Sequence, residues 1–134
     1  MAARGGGTNI ASNIVPYMSG IDTYEILIHH AMGRDNDKEI EWFIPKDYQK
    51  RKAVLKFLDV ESKGKKIISI TGIDDIKKIK GVEDFTLEFS AGDVVKHAQD
   101  DRSRVGYYIA YAESAEELRR IEEDINKLLV ISYE

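Results

Sequence analysis

Apolar residues in the first 33 positions recur at helical spacing. Ile10, Ile14, Val15 and Met18 share one face of a helix, and Gly20 follows them as a stop. Thr8 and Asn9 offer side-chain oxygens where that helix needs an N-cap, while Pro16 interrupts the run and predicts a short or kinked element. Asp22-Thr23 opens a second helix, with Tyr24, Leu27, Ile28, Ala31 and Met32 on one face and Gly33 at its end. The segment reads as two short helices behind a glycine loop.

Arg34 to Glu39 is polar and aperiodic, as a loop or linker is. Beyond it the texture changes. Lys52 to Val60 reads as a strand, with Ala53, Leu55 and Phe57 on one face and Val54, Leu58 and Val60 on the other. The turn Ser62-Lys63-Gly64 and a partner strand from Lys66 to Thr71 would complete a hairpin. Ile73, Ile76 and Ile79, with an acidic start and a basic end, predict a short helix that Gly81 stops. Val82, Phe85, Leu87 and Phe89 lead a third strand into the turn Ser90-Ala91-Gly92-Asp93, and Val105 to Tyr111 is a fourth strand rich in aromatic and β-branched residues.

Ser114 with Glu117 forms a capping box for a last helix whose stripe is Leu118, Ile121, Ile125 and Leu128. Val130-Ile131-Ser132-Tyr133 can add an edge strand. The expected fold class is α+β, a small antiparallel sheet with two helices on one face, spanning residues 46–134. The two short helices before it bury little by themselves and read as part of something larger.

Composition narrows the function. Hydrophobic residues make up 43% and charged residues 33% of the 134 positions, which is a folding composition. A net charge of -4, interspersed in sign, leaves no basic stripe to neutralise phosphates, so a nucleic-acid partner is not expected. The chain has no cysteine, hence no disulfide and no thiolate site, in keeping with a reducing cytoplasm. No apolar run approaches the roughly 20 residues of a membrane span. A cytoplasmic protein without a membrane partner is expected.

Several candidate groups have plain structural readings. His29 and His30 are adjacent, so on a helix they point about 100° apart and cannot grip one metal as an i, i+4 pair could. His97 is alone, and the pairs Asp74-Asp75 and Asp100-Asp101 suit helix starts or solvated loops. Tyr107, Tyr108 and Tyr111 near Arg102 and Arg104 could suggest a stacking platform, but Tyr107 and Tyr108 face opposite sides of a strand. The stretch Arg4-Gly5-Gly6-Gly7-Thr8-Asn9 is different. Free glycine amides ahead of a helix make an anion-binding nest, and Arg4 adds a guanidinium suited to carboxylate or phosphoryl oxygens. A flexible leader or a tag remnant would have the same composition.

The stretch AARGGGTNIASNIVPYMSGIDTYEILIHHAMG resembles the end of the catalytic core of ATP-grasp carboxylate-amine ligases, the group of L-amino-acid ligases and carbamoyl-phosphate-synthase-like proteins. FLDV, GKKIISITGIDDIKKIKGVEDFTLEFSAGDVV and RSRVGYYIAYAESAEEL are similar, in the same order, to the C-terminal domain of those ligases. The resemblance implies residues 1–45 as the last segment of the core and residues 46–134 as the C-terminal ligase domain. It implies amide or peptide bond formation through an acyl phosphate, using ATP and magnesium in the full-length enzyme.

On that resemblance Arg4 would be the catalytic group, steadying the acyl phosphate. Gly5, Gly6, Gly7, Thr8 and Asn9 would lie against substrate or phosphate. Arg104, with the loop from Gly92, would help form the amine pocket, or else pair with Asp93 or Asp101. The family's metal-binding acid would fall at or before Met1, so no bound cofactor and no turnover are expected of this chain alone. The implied partner is the remainder of the ligase, with a homodimer possible through the exposed faces of the first two helices. The rival expectation is a non-catalytic α+β dimerisation or interaction module.

Overall fold

A computed structural model of the chain describes residues 7–34, 50–96 and 105–134. It divides into two units, Met1–Ala53 and Val54–Glu134. The boundary expected at residues 45 and 46 falls outside the described residues.

In the first unit a π-helical turn, Ile10–Ile14, runs into α1, Val15–Ser19, and α2, Thr23–Ala31, follows. Pro16 explains the change of pitch. Having no N–H, it cannot continue the ladder, and the hydrogen bond shifts outward: Val15 N–H donates to the carbonyl of Ile10, while Gly20 N–H donates to that of Pro16 at 2.8 Å. The interruption expected at Pro16 is therefore a π-to-α junction, with proline in the first turn of α1 where its missing donor costs nothing.

The cap expected from Thr8-Asn9 does not form. Asn9 occupies the N-cap position in a left-handed conformation (φ 56°) and makes no side-chain cap bond, because capping requires extended backbone there. Asp22 meets that requirement at φ -80° and ψ 101°, and its carboxylate accepts from Tyr24 N–H at 2.9 Å and Glu25 N–H at 3.1 Å. Gly33 and Arg34 close α2 with a Schellman pattern, their N–H groups donating to His30 and His29 carbonyls, each at 3.0 Å. None of the three helical pieces contains a buried residue. The apolar face of α2 is open: Leu27 is 62% and Met32 60% exposed.

Strand β1 (Lys52–Phe57) starts just before the boundary, and the second unit holds the rest of it with β2 (Ile67–Thr71), α3 (Ile73–Ile76), β3 (Val82–Leu87), β4 (Gly106–Ala112), α4 (Ala115–Leu128) and β5 (Val130–Tyr133). Strand β4 lies between β1 and β3 in a three-stranded sheet, antiparallel to β3 with Phe85 opposite Tyr108 and Thr86 opposite Tyr107. The hairpin expected between β1 and β2 is absent: β2 pairs antiparallel with β5, Ile70 opposite Ile131. The connector after β1 is held elsewhere. Ser62 donates through N–H (3.1 Å) and Oγ (2.9 Å) to the carbonyl of Val95, and Ile67 N–H donates to that of Asp93 at 2.9 Å. Backbone groups that a hairpin would have paired are thus satisfied by the loop after β3.

The α+β class holds, with two antiparallel sheets in place of one. Both helices lie on one face of the β1-β4-β3 sheet, where Ile76, Phe85, Tyr108, Ala110, Ile121 and Ile125 form the core. Each large apolar side chain buried there contributes about 1.5–3 kcal/mol. Ser114 caps α4 as expected, its Oγ accepting from Glu117 N–H, while Glu117 Oε2 reaches one residue past the N-cap and accepts from Glu113 N–H, both at 3.1 Å. Lys56 on β1 pairs with Glu122 on α4.

Gly72 joins β2 to α3 at φ 92°, and a Cβ there would sit 1.9 Å from the carbonyl oxygen of Leu128 at the end of α4. Gly72→Ala should lower stability by about 2–4 kcal/mol, read as a fall in urea midpoint, because the atom it would meet is backbone and cannot yield. A second expectation concerns alkali. Burial, helped by the charge of Glu122, pushes the Tyr108 hydroxyl from 10.0 up to about 12. The neutral phenol is the form the fold favours. The stability that depends on the neutral phenol is fully present below pH 10 and lost as pH rises towards 12. Denaturant titration across that window should show the loss in the native chain and a smaller one in Tyr108→Phe.

Candidate functional site

Of the residues expected at the reactive end, Arg4, Gly5 and Gly6 lie outside the described residues, as does Arg104. The structure does describe Gly7, Thr8 and Asn9, all exposed. Gly7 begins a tight turn, its carbonyl accepting from Ile10 N–H at 3.2 Å. Thr8 and Asn9 both take positive φ, 45° and 56°. Asparagine tolerates this conformation; β-branched threonine does so only under constraint, at a cost on the order of 1–3 kcal/mol. Asn9 passes directly into the π turn, its carbonyl accepting from Asn13 N–H at 2.9 Å. Two left-handed non-glycine residues followed by a widened helical turn concentrate unusual backbone in one short stretch, as ligand-contacting segments often do.

The other candidates separate. His29 is half-buried and His30 exposed at the end of α2, and among the described residues no group of three or more histidines and carboxylates gathers to hold a metal ion. Asp75 pairs with Lys78 at 3.2 Å on the surface of the first turn of α3. His97, Asp100, Asp101 and Arg102 lie outside the described residues. None of the described helices is long and apolar enough to cross a membrane.

Tyr107 and Tyr108 face opposite sides of β4, as alternation requires. Tyr108 is in the core, while Tyr107 donates its hydroxyl to Asp84 Oδ2 at 2.8 Å and meets the ring of Phe57 edge-on at 6.4 Å. A hydrogen bond with Thr86 acts to lower the Tyr107 pKa, but burial, the hydrogen bond to Asp84 and the charges of Asp84 and Glu88 together raise it. The sequence reading missed Asp84. The register of β3 on β4 brings it within reach of Tyr107, and no local pattern announces that register.

Residues 56–134 match the family model described as L-amino acid ligase C-terminal domain 2. No match was found among curated proteins. The solved L-amino acid ligase from Bacillus licheniformis superposes on 99% of this chain with a TM-score of 0.73 at 21% identity, using 31% of its own length. Phosphoribosylglycinamide synthetase from Anaerococcus prevotii covers 96% of this chain with a TM-score of 0.70 at 16% identity, again over 31% of its length. At such identities the likeness is one of fold. The chain spans about a third of the length of these solved relatives.

Asp84→Asn should let Tyr107 ionise at lower pH than in the native chain, since it removes a neighbouring negative charge. The change is checked by ultraviolet titration of tyrosinate, with Tyr107→Phe identifying which of the seven tyrosines moves.

Proposed function

The chain belongs to the ATP-grasp ligases through its L-amino acid ligase C-terminal domain, and on that footing we propose that it is the C-terminal part of an ATP-dependent carboxylate-amine ligase. The observation that supports this reading is the match of 99% of the chain, its helical segment and its α+β unit in order, to the fold of an L-amino acid ligase. In the proposed reaction a carboxylate oxygen attacks the γ-phosphorus of ATP, releasing ADP and giving an acyl phosphate. The nitrogen of an amine then attacks the acyl carbon, phosphate leaves, and the ammonium proton passes to a base.

Negative charge builds on the phosphoryl oxygens in the first step and on the tetrahedral oxygen in the second. Arg4 supplies a fixed guanidinium for both, and the amides of Gly5, Gly6 and Gly7 supply donors that no Cβ obstructs. The constrained backbone of Thr8 and Asn9 holds that loop's exit in one direction. Arg104 is assigned a contact with the amine-side substrate. Magnesium is a different matter: no carboxylate cluster among the described residues fits it, and the nucleotide and its metal are assigned to the ATP-binding portion of the ligase.

The test measures ADP and phosphate release by the full-length ligase across pairs of amino acids. Arg4→Ala should lower kcat by at least about 100-fold, the scale of losing one transition-state donor, while Arg104→Ala should chiefly raise KM for the amine. The 134-residue chain alone should release no ADP. Amine- and carboxylate-dependent ADP release from the pure chain, or full-length activity indifferent to Arg4, would overturn the proposal.

A further inference from the structure

We infer that Asp84, Tyr107 and Phe57, on the sheet face turned away from α3 and α4, form the subsite that receives the ammonium group of the amine-side substrate. The inference rests on the function proposed above. Val54, Phe85 and Tyr108 pack on the helix side, so by alternation Leu55, Phe57, Asp84, Thr86 and Tyr107 lie on the other. All five are half-buried. A carboxylate among aromatic and aliphatic side chains keeps its charge only where polar neighbours hold it. Tyr107 donates to Asp84 Oδ2 at 2.8 Å and Thr86 Oγ1 to Oδ1 at 3.5 Å. Both donors are neutral hydroxyls, which orient the two oxygens and leave the negative charge in place.

The surroundings favour a cation. Glu88, the next position of this face beyond β3, donates its N–H to the carbonyl of Val105 at 2.9 Å, and its charge acts on the Tyr107 hydroxyl together with that of Asp84. Among the described strand positions on this face there is no lysine or arginine: Lys52 and Lys56 of β1 fall on the helix side, where Lys56 pairs with Glu122. The rings of Phe57 and Tyr107, edge-on at 6.4 Å, add the attraction of aromatic faces for an ammonium ion. A divalent metal fits poorly, because among the described residues no group of three or more histidines and carboxylates gathers. An alkylammonium asks for less: a carboxylate for its N–H groups and rings for its methylenes. The amine nucleophile of the proposed reaction arrives largely in that form at neutral pH.

The test titrates propylammonium chloride into the 134-residue chain without ATP, with propanol as the neutral control, and follows the aromatic NMR signals of Phe57 and Tyr107. Propylammonium should shift them saturably and propanol should not. Asp84→Asn should weaken the binding at least about tenfold, the scale of a hydrogen bond to a charged group. Tyr107→Phe breaks the same internal hydrogen bond but keeps the carboxylate and the ring, and should weaken binding by no more than about threefold. A purely structural contact would make the two variants alike. In the full-length ligase Asp84→Asn should raise KM for the amine at least about tenfold and leave KM for the carboxylate substrate unchanged. Absence of saturable binding, equal shifts with propanol, equal losses in the two variants or an unchanged amine KM would each overturn the inference. The titration needs no turnover: a ligase without ATP-dependent activity whose chain binds propylammonium through Asp84 would refute the proposed reaction and leave the ammonium site standing.

Discussion

Strand β4 has five of its seven residues buried, on both of its faces, and the second unit is arranged around that fact. Tyr108 and Ala110 meet the helices, while Ile109, which points the other way, is wholly inaccessible. A strand placed so must have both its edges paired, or its N–H and carbonyl groups would be stranded away from water. Pairing β4 with β3 on one side and β1 on the other meets the requirement. It also draws β1 away from β2, leaving β2 to pair with the last strand of the chain.

This division explains what could be read from the sequence. The capping box of Ser114 and Glu117, the stripe of α4 and the isoleucine spacing of α3 are local patterns, and each corresponds to an element. Strand pairing is not local. Lys52 to Thr71 looks like a hairpin because its two strands are neighbours in sequence, but the partners are chosen by burial of a strand some 50 residues further on. The failed cap at Asn9 has the same character. A side chain capable of capping was present, and the backbone around the glycine loop took a conformation in which it could not serve. The link from Asp84 to Tyr107 depends on cross-strand register, which a single sequence does not display.

For the candidate site the sequence offers an expectation of chemistry and little geometry. An arginine, three glycines and two polar residues would suit an anion, and the described part of the stretch adds backbone constraint at Thr8 and Asn9. The two units also differ in how they are stabilised. The second has its own core and closes tightly at Gly72, Gly81 and Gly106. The first is held by caps and turns, together with Arg51, whose guanidinium donates to the carbonyl of Tyr17 at 2.8 Å and lies over its ring. Hydrogen bonds of this kind define shape at small net gain, roughly 1 kcal/mol each.

The π turn adds a consequence of its own. A π bulge accommodates one residue more than an α turn, and one residue corresponds to about 100° of rotation about the helix axis. Ile10–Ile14 therefore sets the azimuth of everything that follows it in the unit: losing a single residue there would swing Tyr17 round the axis of α1 with hardly any change in its height along that axis. Between the glycine loop and the helices, the π turn and the proline that follows it together fix that azimuth.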